Sequence, residues 1–305
     1  MNEMNYKKII KSQNLRFKIL NCFGWIPDKM MIKIQYRIKT GRKLNLNKPK
    51  RFTEKIQWYK LYYRNPLMHK CVDKYDVREY VKSKGLNKIL NEMYGIYDKP
   101  EDIDYDKLPN KFVIKTTAGS GGQNVFVCHN KEKLDKKEIL QKLKYWQKLN
   151  PKKHFGREWA YQGLKNRIIV EKYIESDSNG LVDYKFFCFN GKVEYVYVIS
   201  DRVLGKSTKL GIYNDAYEKI DAYRCDEGRQ LDCFPIPKSF ENMKKYASIL
   251  SKDFPHARVD FYESNNEVIF GEITFYDGSG YMKYDPDSFD YIIGKEWIVG
   301  DSNDR

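Results

Sequence analysis

A glycine-rich segment, residues 114–127 with the sequence IKTTAGSGGQNVFV, constrains this chain more than any other stretch. Two short apolar runs typical of strands enclose the small residues Gly119, Ser120, Gly121 and Gly122, and Lys115 precedes them. A hairpin turn needs one or two glycines to reach positive φ, so three of them indicate that a ligand approaches the backbone itself. Bare N–H groups beside a cation are typical of loops that bind polyphosphates. The segment therefore predicts a phosphate-binding loop between two strands.

The size and composition of the chain favour two subdomains and no membrane span. Its 305 residues suffice for two cores, 32% of them are charged, and the mean hydropathy is −0.73. The chain has no run of about 18 apolar residues, and its N-terminus lacks the apolar core and the small-residue cleavage site of a signal peptide. The six cysteines are scattered without a C-x-x-C pair, which predicts reduced thiols, a cytoplasmic protein and no zinc site.

Most of the net charge lies at the N-terminus. Of the total of +15, residues 1–64 contribute 17 basic against 3 acidic residues, or +14, which leaves 39 basic and 38 acidic residues, or +1, for the rest. Such a basic arm attracts nucleic acid, an anionic membrane surface or an acidic polymer. A helical face that is only solvated is an equally open alternative. The arm has few aromatic residues at stacking intervals, so no nucleic-acid partner is expected.

The order of the predicted elements indicates an α+β fold. Residues 5–40 alternate apolar and basic residues at helical spacing, and Thr53 is the expected N-cap of a second helix. A third helix is expected from about Asp73 to Lys84, where Gly85 ends it. The remaining patterns predict strands at 111–115, 124–128 and 166–174, helices at 131–149 and 239–254, and hairpins that turn at Asn190–Gly191 and near Asn265–Asn266. This mixture favours α+β subdomains over an open parallel sheet.

Spacing excludes two other phosphate-binding motifs. Residues 204–208, LGKST, end like a P-loop, but Ser200 stands where the first glycine of that motif belongs. The Gly119 and Gly121 pair begins a dinucleotide fingerprint, but the third glycine is absent and a strand follows instead of a helix. The four histidines show no metal-ligand spacing, and no G-x-S-x-G elbow indicates a covalent nucleophile.

The last predicted hairpin carries two acidic residues in the middle of its strands. A three-residue loop would place the carboxylates of Asp260 and Glu272 on one face, directly or diagonally opposed. Two such charges repel each other unless a cation lies between them, and Mg²⁺ held by carboxylates and substrate phosphates is one solution. An acidic, solvated hairpin face with Arg258 as a local partner is the alternative.

Four segments in this order resemble the ATP-grasp superfamily, and more closely its TupA-like branch, which is typified by teichuronopeptide-biosynthesis proteins of bacterial surface polysaccharide clusters. They are FTEKIQWYKLYYRNPLMHKCVDKYDVREYV (52–81), FVIKTTAGSGGQNVFV (112–127), DYKFFCFNGK (183–192) and GEITF (271–275). The resemblance covers residues 50–297 and implies two α+β subdomains that enclose ATP. It suggests a helical basic arm over residues 1–50, a helical region before the ATP-grasp core over 51–110, and the core itself over 111–300.

The resemblance also implies a role for each matching position. Lys74 and Lys115 would hold the α- and β-phosphates, the segment from Gly119 to Gly122 would close over them, and Asp183 would accept from the ribose hydroxyls. Arg202 would stabilise the transferring phosphoryl group, and Asp260 and Glu272 would hold Mg²⁺. The adenine hinge would be formed by the backbone of Glu171, Lys172, Tyr173 and Ile174, and the acceptor site would be bordered by Gly278, Ser279 and Gly280. Thr274 stands where the superfamily usually has asparagine, which puts a second metal position in doubt.

The implied activity is ATP-driven ligation of a carboxylate to an amine through an acyl phosphate. A uronic acid of a small-molecule or lipid-linked saccharide precursor and an amino acid are the candidate substrates by family context. Two alternatives stay open at this point: a sugar kinase that transfers the phosphoryl group to a hydroxyl, and a basic nucleic-acid-binding module with a degenerate nucleotide site. The basic charge of residues 1–64 further predicts loose peripheral contact with an anionic inner membrane face.

Overall fold

The computed structural model describes residues 23–119, 124–148, 156–176, 180–203 and 207–299, and for residues 201–203 and 207 only the backbone. Within them the chain forms a four-stranded sheet, a six-stranded sheet, a two-stranded ladder and helices that pack on these sheets. Neighbouring strands of the first sheet are antiparallel, and the second contains one short parallel pair. The predicted α+β class is confirmed.

Helices dominate the first part of the described chain. Their bounds are α1 Asp28–Thr40, α2 Phe52–Tyr62, α3 Leu67–Val72 and α4 Val77–Ser83. The predicted cap of α2 is wrong, because the helix begins at Phe52 and the Thr53 hydroxyl donates to Asp290 Oδ2 (2.7 Å) instead. The carboxylate of Glu54 accepts the Arg51 N–H (3.1 Å) and so satisfies the first turn. Ile56 and Tyr59 are fully buried.

The four-stranded sheet has the order β1-β4-β2-β3. Its strands are β1 Met93–Tyr97, β2 Phe112–Thr116, β3 Val125–Cys128 and β4 Ile168–Lys172. The amphipathic helix α5, Lys136–Lys148, covers one face and buries Ile139 and Leu143 against Ile114 and Val170. The sequence patterns predict no strand before Lys111, and β1 adds one, which joins the region 51–110 to this sheet.

The six-stranded sheet has the order β11-β10-β5-β6-β7-β9. Its strands are β5 Asp183–Phe189, β6 Lys192–Val203, β7 Ser207–Asn214, β9 Gly228–Arg229, β10 His256–Ser264 and β11 Glu267–Thr274. A two-stranded ladder pairs β8, Tyr223–Arg224, with β12, Tyr284–Asp285. The helices are α6, Phe240–Ser251, and α7, Ser288–Lys295. The largest buried cluster lies here, where α2, α6 and α7 pack on the sheet.

Both predicted hairpin turns are confirmed, and the second differs in length. Asn190 and Gly191 connect β5 to β6 with positive φ at both positions, as a primed two-residue turn requires. The turn between β10 and β11 also has two residues, Asn265 and Asn266, rather than three. The extra residue is absorbed at Gly271, where the register shifts by one. This bulge sets Asp260 directly opposite Glu272, as the three-residue loop would have done.

Candidate functional site

The Lys74 side chain joins elements of both large sheets. Lys74 was expected on a helix and lies in the turn between α3 and α4, where Asp73 Oδ1 accepts the backbone N–H groups of Tyr75 and Asp76 (both 2.9 Å). The Lys74 N–H donates to Thr117 O (3.0 Å) beyond the end of β2, so the turn is fixed against the first sheet. Its ammonium donates to the carbonyl of Gly119 and lies 4.0 Å from Glu272 Oε2 on β11. Burial lowers the pKa of Lys74, and the charge of Glu272 opposes this shift.

Lys115 is held by an ion pair inside the first sheet. It lies on β2, and its ammonium contacts Glu171 Oε2 on the neighbouring strand β4 at 2.5 Å. Arg78 on α4 approaches the other oxygen of Glu171 at 3.4 Å. The Glu171 carboxylate is therefore shared by two cations, and the ammonium charge of Lys115 interacts unfavourably with that of Lys74. A phosphate would relieve that repulsion.

The predicted adenine hinge is only partly available to a ligand. Glu171 and Lys172 belong to β4. The Lys172 N–H donates to Glu92 O (2.9 Å), and its carbonyl accepts from the Asn91 side chain (2.8 Å), so both backbone groups are engaged. Tyr173 and Ile174 follow the strand end with no regular structure. Of the four positions, Tyr173 and Ile174 are the two that lie outside the strand.

Asp260 and Glu272 form the acidic pair of the second sheet. Their strands place them opposite each other, on the face of the hairpin that also carries Arg258. Arg258 binds both Asp260 oxygens through Nε (2.8 Å) and Nη2 (2.7 Å), and it reaches Glu272 Oε1 (3.1 Å). Burial works to raise the pKa of Glu272, but the charges of Lys74, Arg258 and Lys185 outweigh it and lower the pKa to about 2. Glu272 is thus ionised at neutral pH.

Two cations that the sequence patterns did not single out as functional complete this network. Lys185 on β5 contacts Asp183 Oδ2 (2.7 Å) and Asp260 Oδ2 (2.5 Å), and its side chain is 9% exposed. Arg258 also donates to the buried carboxylate of Asp277. The sequence spacing could have indicated both cations. Lys185 is two residues from Asp183, and Arg258 is two residues from Asp260, so each pair lies on one face of its strand.

The carboxylates suit a hard divalent cation with shared ligands. Among the described residues, no group of three or more His, Cys, Asp or Glu side chains is arranged to hold a metal by itself. Glu272 is 36% exposed and presents an oxygen toward Lys74, while Asp260 is 2% exposed with both oxygens bonded to cations. Glu272 therefore suits Mg²⁺, with substrate phosphates supplying further oxygens, whereas Asp260 would have to exchange a bond to Arg258 or Lys185 for the ion. Thr274 Oγ1 lies 3.3 Å from Glu272 Oε1 on the same face.

The predicted acceptor border is a strained turn held by a buried lysine. Gly278, Ser279 and Gly280 all have positive φ, at 49°, 54° and 64°. Lys60 on α2 is 1% exposed and donates to Ser279 O (2.7 Å) and Ser279 Oγ (2.9 Å). Gln57, one helical turn earlier, donates to the carbonyls of Ser279 (3.0 Å) and Gly280 (2.7 Å). Burial lowers the pKa of Lys60 to about 7.

Some predicted positions lie outside the described residues. Ser120, Gly121 and Gly122 are among them, and so is the side chain of Arg202, whose backbone lies one residue before the end of strand β6. The described residues bring together Lys74, Gly119, Asp260, Glu272 and Thr274, with Lys115 beside Lys74 and with Asp183 joined to Asp260 through Lys185.

These residues lie where the two large sheets meet. The sequence matches the profile of the TupA-like ATPgrasp family over residues 54–298. The chain belongs to this family. The assignment confirms the predicted family and ATP-grasp fold, and with them the prediction that the protein is an ATP-grasp enzyme.

Solved structures show more distant likenesses, and no curated protein sequence matches the chain. D-alanine–D-alanine ligase from Bacillus anthracis is 17% identical with a TM-score of 0.44, over 68% of this chain and 57% of the ligase. The corresponding ligase from Helicobacter pylori is 17% identical with a TM-score of 0.41, over 75% and 61%. N5-carboxyaminoimidazole synthetase from Staphylococcus aureus, solved with ADP, is 15% identical with a TM-score of 0.38, over 67% and 44%. The chain spans less than two thirds of each, and these values say nothing about its substrates.

Proposed function

We propose that the protein is an ATP- and Mg²⁺-dependent ligase that joins a carboxylate to an amine through an acyl phosphate. One observation carries the proposal: the Lys74 ammonium contacts the carbonyl of Gly119, in the glycine segment of the first sheet, and lies 4.0 Å from Glu272 of the second. A cation between a phosphate-binding segment and a metal-binding carboxylate is the arrangement that a bound triphosphate needs.

The nucleotide would be held by charges that are already positioned. Lys74 and Lys115 supply two ammonium groups beside the start of the glycine segment, and both are fixed by carboxylates that phosphate oxygens would compete with. The backbone of Tyr173 and Ile174 would contact the adenine, and Asp183 would accept from the ribose. Asp260 and Glu272 would hold Mg²⁺, which neutralises charge between the phosphates when it is bound.

The chain's own cations suit the phosphoryl transfer. The attacking carboxylate oxygen forms a bond to the γ-phosphorus, the bond to the β,γ-bridging oxygen breaks, and ADP leaves with the electron pair. Arg258 and Lys185 lie beside the two metal-site carboxylates, where they can stabilise the negative charge of the transferring group. The amine then attacks the acyl carbon, loses its proton, and expels inorganic phosphate, so the products are an amide, ADP and phosphate.

The proposed substrates come from the family context. We propose a uronic-acid carboxylate on a saccharide precursor, either small or lipid-linked, and the amine of an amino acid, with the reaction in the cytoplasm. Five free cysteines in the described part of the chain agree with a reducing compartment. None of the helices described is long and apolar enough to cross a bilayer.

Product analysis tests the reaction. The full chain is incubated with ATP, Mg²⁺, candidate uronic acids and a mixture of amino acids, and the products are identified by mass spectrometry. An amide together with ADP and phosphate is expected, and Lys115→Ala should abolish it while Lys107→Ala, a substitution of a lysine that is 85% exposed, should not. A phosphate ester of the sugar, formed without amide, would identify a kinase and refute the ligase.

A further inference from the structure

The outer face of helix α1 carries an apolar stripe that the rest of the described chain leaves uncovered. Met30, Ile34 and Ile38 recur every four residues and are 56%, 42% and 57% exposed. Trp25, just before the helix, is 78% exposed, and Phe23 is 41% exposed. Five of the eleven large apolar side chains that are exposed in the described residues therefore lie between positions 23 and 38. Such a concentration marks an interaction surface.

A row of cations runs beside this stripe. Lys29, Lys33 and Arg37 recur at the same interval, one position before the apolar residues, and all three are exposed. Among the described residues, neither Lys29 nor Lys33 forms an ion pair, and Arg37 donates to the carbonyl of Gly41 (2.7 Å) rather than to an acid. Asp28, the acid that opens the helix, is paired with Arg157 (2.7 Å). The face therefore presents positive charge without a counter-ion.

We propose that this face, the α1 face of Trp25, Met30, Ile34, Ile38, Lys29, Lys33 and Arg37, docks on an anionic lipid surface. A helix that lies flat in a membrane interface typically carries tryptophan and aliphatic residues on one face, with lysines and arginines beside them. The apolar residues enter the boundary between headgroups and acyl chains, and the cations meet lipid phosphates. Several other arm cations are used internally, since Arg42 and Arg51 pair with Asp287, so the α1 face carries a distinct part of the arm's charge.

Charge complementarity selects the lipid over two other occupants. Residues 1–22 of this chain hold five basic residues and one acidic residue, so they share the sign of the α1 face and would be repelled from its cationic row. A second copy of the same face would set one cationic row against another in a two-fold contact. An anionic bilayer offers both the apolar depth and the opposite charge.

The inner side of α1 lies next to the acceptor border. Gln35 accepts a hydrogen bond from Tyr281 (2.6 Å), the residue that follows the strained turn 278–280. Lys39 lies over the Tyr281 ring, 4.1 Å from its centre. A helix docked on a membrane by its outer side therefore brings the acceptor end of the site close to the lipid surface. This last step rests on the proposed function, whereas the docking itself does not.

Vesicle binding without ATP tests the docking separately from the reaction. The full chain is sedimented with vesicles of phosphatidylcholine alone and with vesicles of equal parts phosphatidylcholine and phosphatidylglycerol, at low and high salt. Preferential binding to the anionic vesicles is expected, and a blue shift of tryptophan emission should disappear in Trp25→Phe. The double variant Lys29→Gln/Lys33→Gln should weaken the partition about 30-fold, since each well-placed cation contributes about 1 kcal/mol.

Matched substitutions elsewhere control for loss of surface hydrophobicity. Ile34→Ser/Ile38→Ser should reduce binding, while Leu231→Ser/Ile236→Ser, which removes two exposed apolar side chains far along the chain, should leave it unchanged. Equal binding to neutral and anionic vesicles, unaltered binding by the α1-face variants, or a dimer that depends on Ile34 and Ile38 would each overturn the proposal. Amide formation that persists in these variants with a soluble acceptor would leave the proposed reaction standing on its own.

Discussion

Replacement of Lys60 by methionine is expected to change how the stability of the protein depends on pH. Lys60 is 1% exposed and makes its hydrogen bonds to Gln57 and Ser279, and no carboxylate of the described residues forms an ion pair with it. Burial therefore lowers its pKa to about 7, and the more distant charge of Glu158 offsets only part of this. Its ammonium is a cost to the folded state wherever it remains protonated.

The sign and size of the effect follow from proton linkage. Below pH 7 both states hold the proton, and the full cost of the shift applies, about 5 kcal/mol for a fall from 10.5 to about 7. As the pH rises from 7 toward 10.5, the folded state releases the proton while the unfolded state keeps it, so stability rises with pH. Integrated from pH 6.5 to 9.5, wild type should gain about 3 kcal/mol relative to Lys60→Met.

Urea denaturation at a series of pH values measures this difference. Lys60→Met is compared with wild type at each pH. Lys48→Met serves as the control, because Lys48 is exposed and belongs to the same region. The free energies of unfolding should converge with rising pH for Lys60→Met only. A constant offset between the two curves reports the lost hydrogen bonds to Ser279 and is independent of the protonation of Lys60. A difference that stays flat within about 0.5 kcal/mol would show that Lys60 is protonated throughout.

Three further substitutions test the site. Lys115→Ala should keep the fold and weaken the ATP affinity measured by calorimetry at least about tenfold, because one charge-assisted contact to phosphate is lost. An affinity equal to that of wild type would show that Lys115 does not bind the nucleotide. Gly271→Ala places a Cβ 3.0 Å from the Asp260 carbonyl oxygen, so the melting temperature should fall and the Mg²⁺ requirement should rise, at a cost of about 1–3 kcal/mol. Thr274→Ala should slow turnover about tenfold, and Thr274→Asn should be tolerated with a lower half-saturating Mg²⁺ concentration. If Thr274→Ala is as inactive as Glu272→Ala, the assigned metal ligands are wrong.

Local pattern predicted the elements well because each is encoded by residues close in sequence. The Asn190–Gly191 turn and the alternation around it specify a hairpin without any knowledge of the rest of the chain. Lys74 was misplaced for a reason of the same kind. Asp73 is compatible with a helix interior, but its side chain accepts two backbone N–H groups and interrupts the helix there. A short polar residue is compatible with both a helix and a turn, and here the hydrogen bond from the Lys74 N–H to the Thr117 carbonyl (3.0 Å) favours the turn.

The number of residues between two strands is also compatible with more than one loop structure. A three-residue loop, and a two-residue turn followed by a bulge, both bring Asp260 opposite Glu272. They differ in where the extra residue is placed, and the structure places it at Gly271, whose backbone approaches the Asp260 carbonyl. Lys60 was beyond prediction because its partner, Ser279, is 219 positions away.

The sequence predicts that a positive charge lies between Asp260 and Glu272, but it does not determine which cation supplies that charge. Two opposed carboxylates need positive charge between them, and the sequence offered both Mg²⁺ and Arg258 as its source. The structure uses Arg258 for Asp260, which it binds at 2.7 and 2.8 Å, and leaves Glu272 partly exposed beside Lys74. The two solutions are therefore complementary. Burial raises the pKa of Asp260, and the charge of Arg258 opposes that rise. Because the Asp260 oxygens are already bonded to Arg258 and Lys185, a metal ion arriving with the nucleotide would be attracted mainly by Glu272 and the phosphates.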